Sequence, residues 1–468
     1  MLIKPSLFKL ILLISVATMP FQFEKQIFAN EEGTSKSDRP NFIFIITDDQ
    51  RWDALGVVQQ EQADEALFPW FKSPNMDRIA REGARFRNAF VVHSLCSPSR
   101  ASFLSGRPSH QHRVLHNQHP MPLDIPTWAT GLRDAGYETA YFGKWHMGQQ
   151  AKRPGFSRVV SYLGQGKYNN CHFYKDGQKI ETTGWVDDVT TDFAVRYLEA
   201  EHDKPFGMVI GYKSPHEPRL PPDRHEETYS KVELKIPTSL EVIPPFRPPG
   251  YKPLPWKSRI YDRLNYFRCL SAVDDGIGKI LDVLDRRKLT ENTVLVFVGD
   301  NGYYLGEHAS HDKRTAYEES IRIPFLIRYP KLIKPGTLID DIVLNIDLAP
   351  TFLELANLPT PKLVGKSLLP VLKDPGTFED RVMLYENYQD PEFSKVTFDI
   401  FALRTETHKL VTYPGHPQWT EAFDLQSDPL ELSNIVDQPE FEEQRKLLVD
   451  QLKNQLEAAS LLPNPNRD

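Results

Sequence analysis

Along the chain, continuous apolar runs stop abruptly at polar residues. Asn41-Phe42-Ile43-Phe44-Ile45-Ile46-Thr47 is rich in Ile and Phe and ends in Asp48-Asp49. It lacks the alternation of a half-buried strand, so it predicts a strand covered on both faces within a parallel sheet. Phe206-Gly207-Met208-Val209-Ile210-Gly211-Tyr212 is a similar run, ending just before Ser214-Pro215-His216. Val294-Leu295-Val296-Phe297-Val298 leads into Gly299-Asp300-Asn301-Gly302. In open α/β sheets, ligands sit beyond the carboxyl ends of the strands. These three polar strand ends are therefore expected to collect at one site.

Helical spacing follows between the runs. Residues 128–135 precede a Gly136 stop signal, and residues 261–284 end in Asp285-Arg286-Arg287-Lys288. Alternating strands and helices predict an α/β fold: a large mixed, mostly parallel sheet sandwiched by helices. From about residue 365 the pattern shortens. Residues 401–404 and 409–413 predict a small antiparallel sheet, and residues 441–459 read as a charged amphipathic helix. The expected organisation is a main domain over 40–364 and a smaller C-terminal subdomain over 365–468.

A chain of 468 residues can bury a large core in more than one layer. Its 56 basic and 63 acidic residues give a net charge of −7, which argues against a nucleic-acid partner but leaves room for a local basic pocket. The 38 prolines point to many ordered loops. Lys4 and Lys9 precede an apolar stretch over 10–19, too short to span a bilayer comfortably and similar to a signal-peptide core. Residues 1–29 are therefore expected to direct export, to the periplasm or beyond. A membrane anchor or a buried segment is the alternative reading. The only cysteines are Cys96, Cys171 and Cys269, which form no disulfide framework. Cys171 and Cys269 either share one bridge or stay buried thiols.

Asp48-Asp49 and Asp300-Asn301 would repel at neighbouring strand ends unless a cation lay between them. Three carboxylates and an amide oxygen suit a hard cation such as Ca2+ or Mg2+. Each pair alone would read as a turn or helix cap. Cys96-Ser97-Pro98-Ser99-Arg100-Ala101-Ser102-Phe103-Leu104-Ser105-Gly106-Arg107 is the other unusual segment. A lone cysteine usually packs as a small apolar group. Here Pro98 fixes a turn, Ser99 can cap a helix, and Arg100 brings a permanent cation one helical turn from Cys96.

This segment resembles the signature of type I sulfatases, members of the alkaline-phosphatase-like superfamily: Cys, any residue, Pro-Ser-Arg, and a closing Ser/Thr-Gly-Arg. Gly143-Lys144-Trp145-His146, Pro215-His216-Glu217-Pro218, Asp300-Asn301-Gly302, Gly306-Glu307-His308 and Asp312-Lys313-Arg314 resemble further blocks of that family, in its order. Asp347-Leu348-Ala349-Pro350-Thr351 and the segment from Asp424 to Pro429 resemble later ones, so the likeness spans about residues 40–435.

The resemblance implies a sulfate-ester hydrolase with one bound Ca2+, held by Asp48, Asp49, Asp300, Asn301 and the modified Cys96. It implies that Cys96 is oxidised to formylglycine by a formylglycine-generating enzyme. One hydroxyl of the aldehyde hydrate then accepts sulfate and the other expels it. Arg100, Lys144 and Lys313 would surround the sulfate. His216 would protonate the leaving alcohol and His146 would serve the release step. The substrate class it implies is a sulfated glycan or an aryl sulfate. Residues 164–170 resemble carbohydrate sulfatases, including those acting on 6-sulfated glucosamine. A phosphate-ester hydrolase of the same superfamily and a non-catalytic glycan binder are the rival readings. For His308, His311, Lys213 and Arg219, substrate contact and a purely structural role stay open.

Overall fold

The computed structural model describes residues 39–148, 153–378 and 380–461. The expected export segment over 1–29 lies outside these residues. Four parallel strands form the middle of a ten-stranded sheet. They are β1 (Asn41–Thr47), β2 (Glu138–Lys144), β3 (Phe206–Gly211) and β4 (Thr293–Gly299), in the spatial order β4-β1-β3-β2. Strands Phe325–Arg328, Ala84–Phe86 and Thr337–Ile339 extend the β4 edge. Strands Arg158–Tyr162, Phe173–Lys175 and Gln178–Ile180 extend the β2 edge. Phe325–Arg328 runs antiparallel to β4, so the sheet is mixed, as expected.

Two core layers explain why these runs are apolar throughout. On β1, Phe42, Phe44 and Ile46 face one layer, while Ile43 and Ile45 face the other. On β4, Val294, Val296 and Val298 join the first layer, and Leu295 and Phe297 the second. Helices α1 (Cys96–Ser105) and α2 (Trp128–Asp134) pack on the first face through Ala101, Phe103, Trp128 and Leu132. Helices α3 (Val186–Glu199) and α4 (Ile260–Arg286) cover the second through Ala194, Leu198, Val273, Ile277 and Leu281. Each Val, Leu, Ile or Phe side chain among them contributes about 1.5–3 kcal/mol on burial. Alternation could not appear, because neither face is wet.

The C-terminal part forms a four-stranded antiparallel sheet: Met383–Asn387, Ile400–Arg404, His408–Thr412 and Glu421–Asp424. Here alternation is visible. Met383, Tyr385, Ile400 and Ala402 pack with Phe90 and Val92, while Leu403, Leu410 and Ala422 pack with Leu448, Leu452 and Leu456 of helix α5 (Glu442–Ala458). Cys171 and Cys269 are both unbridged buried thiols in the second core layer. No helix among the described residues is long and apolar enough to cross a membrane.

Candidate active site

The sheet's register brings the two acidic pairs together. Thr47 of β1 lies opposite Gly299 of β4, so Asp48-Asp49 and Asp300-Asn301 leave the sheet side by side. The Asp300 amide donates to Thr47 O at 3.0 Å, and the Asp49 amide donates to Asp300 Oδ1 at 2.9 Å. Asp49 sits at φ 68°, a left-handed conformation that Asp tolerates better than branched residues. Asn301 donates its amide to Asp49 Oδ1 at 2.7 Å, leaving its own Oδ1 without a partner. Asp48 Oδ1 is likewise buried and unpartnered. Ligand atoms of Asp48, Asp49, Asp300 and Cys96 all lie within 4.8 Å of one another. An oxygen-rich, fully buried cluster with unspent oxygens fits a hard divalent cation.

Cys96 is the first residue of α1 and wholly buried. Gly106, at φ 68°, closes that helix through its amide to Ser102 O. Ser99 lies inside the helix rather than capping it, because the first helical residue is already Cys96. Its hydroxyl instead accepts from Asn345 at 3.0 Å. Arg100, one turn from Cys96, donates to Asp300 Oδ2 at 2.8 Å and to Lys144 O at 2.9 Å.

Lys144 ends β2, next to β3, and its ammonium pairs with Asp48 and Gln165. Lys313 reaches in from the loop after β4 and pairs with Asp49. Three permanent cations thus face three carboxylates in a dry site. A bound divalent cation would leave that set with an excess of positive charge suited to an anionic ester.

Electrostatics assign the protons. Burial raises the Asp48 carboxyl, but Lys144, His216 and Arg100 outweigh it and hold it well below the usual range. Burial together with the Asp48 charge pushes Asp300 up to about 7. Burial and Asp48 also push the Cys96 thiol well above its usual range, so an unmodified thiol here is protonated and a weak nucleophile. Burial and Lys144 hold His146 well below its ordinary value. Its Nδ1 has no partner, and its carbonyl accepts from Ser97 Oγ at 2.6 Å beside Cys96.

His216 lies on the loop after β3, its Nε2 3.8 Å from Asp49 Oδ2. Nδ1 donates to Glu217 O at 2.7 Å, and Gln165 Nε2 lies 3.2 Å from His216 Nε2. Burial lowers this imidazole to about 3. Asp187 of α3 anchors the loop by accepting from the Lys213 and Ser214 amides at 2.8 and 3.0 Å.

Every residue expected at the centre is therefore in or beside one cluster. The four open cases separate. His308 is buried elsewhere, stacked on Tyr317 at 4.1 Å with Nε2 3.5 Å from Glu319. Arg219 lies over Tyr303 and Tyr266 at 4.6 and 5.3 Å and pairs with Asp262, with its Nη2 buried and unpartnered. Lys213 lies 4.9 Å above the Tyr168 ring, and burial lowers it to about 8. His311 lines a cavity that Lys313 also lines.

Sequence reasoning gave no role to Gln165, which bridges Lys144 and His216, or to Asp187. Single amides and helix carboxylates carry no spacing signal.

Such a fold and charge set define a hydrolase of anionic esters. The sulfatase family pattern matches residues 40–358, and the pattern for the C-terminal part of N-sulphoglucosamine sulphohydrolase matches residues 306–459. An N-acetylglucosamine-6-O-sulfatase of Bacteroides thetaiotaomicron is 31% identical, over 89% of this chain and 86% of its own. A solved structure in complex with its substrate D-glucosamine-2-N,6-O-disulfate is similar at a TM-score of 0.82 and 29% identity, covering 92% of this chain and 100% of the other. A phosphonate monoester hydrolase of Agrobacterium radiobacter shares the fold, at a TM-score of 0.74 and 21% identity over 91% and 96% of the two chains. The chain belongs to the sulfatase family. It is a sulfuric ester hydrolase with an alkaline-phosphatase-like fold.

Proposed function

We propose that this enzyme removes sulfate from a sulfated carbohydrate, using Cys96 converted to formylglycine and one bound calcium ion. The observation that carries the reading is the pair of buried, unpartnered oxygens, Asp48 Oδ1 and Asn301 Oδ1, in the cluster that includes Cys96. Asp48, Asp49, Asp300 and Asn301 would hold the cation, which supplies positive charge opposite a developing alkoxide and the sulfate oxygens. When formed, the aldehyde hydrate supplies one hydroxyl to accept the sulfuryl group and a second to release it.

The chain's own side chains do the rest. Sulfuryl transfer builds charge on the peripheral oxygens, and Arg100, Lys144 and Lys313 are fixed cations in a dry site where that charge is strongly felt. Asp300 takes the proton of the attacking hydroxyl. His216 protonates the leaving alcohol. The Glu217 carbonyl keeps one proton on its Nδ1, so Nε2 must gain another, and a bound sulfate's negative charge favours that. His146, held neutral by burial and Lys144, suits the removal of a proton in the release step.

The carbohydrate assignment is supported by the relative named for N-acetylglucosamine-6-O-sulfate and by the neighbour bound to a glucosamine disulfate. A formylglycine-generating enzyme would be the maturation partner, and the apolar stretch over 10–19 supports export. Matched sulfate and phosphate esters test the reading, together with 6-sulfated N-acetylglucosamine and an aryl sulfate. Sulfated-sugar turnover well above the other substrates is expected. Aryl-only turnover contradicts the carbohydrate assignment, and dominant phosphate-ester turnover contradicts the sulfate assignment.

A further inference from the structure

A cavity of about 330 Å3 is lined by Lys313, which also pairs with Asp49 of the carboxylate cluster, and it carries a surplus of positive charge. Arg247, Arg259, Lys313 and Arg314 line it, and Asp312 is its one acidic lining residue. Three of these cations are engaged. Lys313 pairs with Asp49. Arg314 lies 3.2 Å from Asp312 and 3.4 Å from Asp390. Arg259 is held loosely, 3.8 Å from Glu217 and 4.0 Å from Asp262.

Arg247 is different. No carboxylate among the described residues comes within ion-pair distance of it. Its guanidinium lies 4.8 Å from the Tyr251 ring centre and 5.5 Å from that of Phe246, and it donates once, to Ser310 Oγ at 3.2 Å. Its Nε is buried without a partner. A half-buried guanidinium has lost part of its hydration, and here no anion of the protein compensates. The aromatic props hold its fork in place, ready for bidentate contact with a planar carboxylate or with sulfate oxygens. Phe393 and Phe398 add apolar walls against which the C–H face of a sugar can pack.

We propose that Arg247 is a specificity-determining residue which binds a second anionic group on the substrate, a sulfate or a carboxylate placed away from the ester being cleaved. This rests on the sulfated-carbohydrate reading and narrows it to glycans bearing at least two negative groups. Lys313 carries the connection, since it lines this cavity and contacts the carboxylate cluster.

The test compares wild type with Arg247→Gln and Arg247→Lys in the full chain. Probes are 6-sulfated N-acetylglucosamine, glucosamine 2-N,6-O-disulfate, a uronate-bearing 6-sulfated disaccharide and an aryl sulfate. Arg247→Gln should raise KM about tenfold for whichever doubly charged probe the cavity accepts, by loss of one charged contact. The kcat for that probe, and all constants for the aryl sulfate, should stay within about twofold, and Arg247→Lys should restore part of the loss. The probe that responds tells sulfate from carboxylate. Equal losses on every probe, or none, would overturn the proposal. Calorimetric binding of the disulfate, which needs no turnover, separates the two levels. A tenfold weaker Kd in Arg247→Gln without any glycan hydrolysis would sink the carbohydrate-hydrolase reading and keep the subsite. An unchanged Kd for the disulfate and, measured the same way, for the uronate-bearing disaccharide would sink the subsite.

Discussion

Among the described residues, two buried clusters bring together side chains able to bind a metal, and they balance charge differently. One is Asp48, Asp49, Cys96 and Asp300; the other is His308, Glu319 and Glu431. In the second, the cation is built into the chain. Lys409, wholly buried on strand His408–Thr412, lies 2.8 Å from Glu318, 2.7 Å from Glu431 and 2.8 Å from Ala316 O. The ammonium donates to Ala316 O, and the two carboxylates lie within ion-pair distance of it. In the first, Lys144 and Lys313 each reach one aspartate, yet Asp48 Oδ1 and Asn301 Oδ1 stay unpartnered. Buried carboxylates alone do not make an ion site. Oxygens without a hydrogen bond alone do not either, since Glu319 Oε2 and Glu431 Oε1 are such oxygens in the second cluster. The difference is the donor set, which is all carboxylate oxygen beside Cys96 in the first and includes His308 next to a buried ammonium in the second. The second cluster then reads as a tie between the C-terminal sheet and the segment around Glu318.

Removing the cation should separate the clusters most sharply. Dialysis against a chelator should abolish sulfate-ester turnover and lower Tm, and calcium should restore both. Lys409→Met should leave the calcium requirement unchanged and cost about 3–5 kcal/mol of stability, because it strands buried carboxylates. Urea unfolding with and without calcium checks both. A calcium-dependent Tm that survived loss of Asp48 but not of Lys409 would reverse the comparison.

The internal cations of the first cluster come next. Lys144→Ala and Lys313→Ala should each lower kcat by about 10²- to 10³-fold with calcium saturating, and should also lower Tm, since each leaves a buried aspartate with one cation fewer. Steady-state kinetics on a sulfated sugar measures this. A change confined to KM would mean that these lysines bind substrate without favouring the transition state.

These outcomes bear on what the sequence could reveal. β1 and β4 were legible because a strand buried on both faces must be apolar at every position. The acidic cluster was legible because acidic pairs followed such strands at once. The edge strands Phe173–Lys175 and Gln178–Ile180 were not, being three residues long and largely polar. Lys409 could not be found either: a lysine in an alternating strand reads as solvent-facing until Glu318 and Glu431 are placed beside it. His308 sits close to Lys313 in sequence and still points into the other cluster, since positive φ at His308 and Ala309 turns the loop between them.

Proton binding gives a finer comparison. Burial and Asp48 push Asp300 up to about 7, so the folded, metal-free chain holds a proton that an unfolded carboxyl of ordinary pKa releases near pH 4. The Asp300 share of the metal-free enzyme's stability should therefore fall as pH rises from about 4 to about 7, against the opposite slope of His216, which burial lowers to about 3. Glu431, also pushed up by burial to about 7, contributes with the same sign as Asp300. Asp48, held low, acts only at more acidic pH. Calcium needs ionised ligands, so it should cancel the Asp300 share and spare that of Glu431. Melting curves from pH 4 to 8, in wild type and Glu431→Gln, separate the two. The smallest effect expected is from Gln165→Ala, which removes side-chain contacts to Lys144 and His216 and should lower kcat about five- to tenfold.

The most direct test is the mass of the peptide spanning residue 96, taken from turnover-competent enzyme made in a host able to mature it. An aldehyde in place of the thiol, in a proportion that tracks specific activity, is the predicted result. Full activity with an intact cysteine throughout would contradict the account.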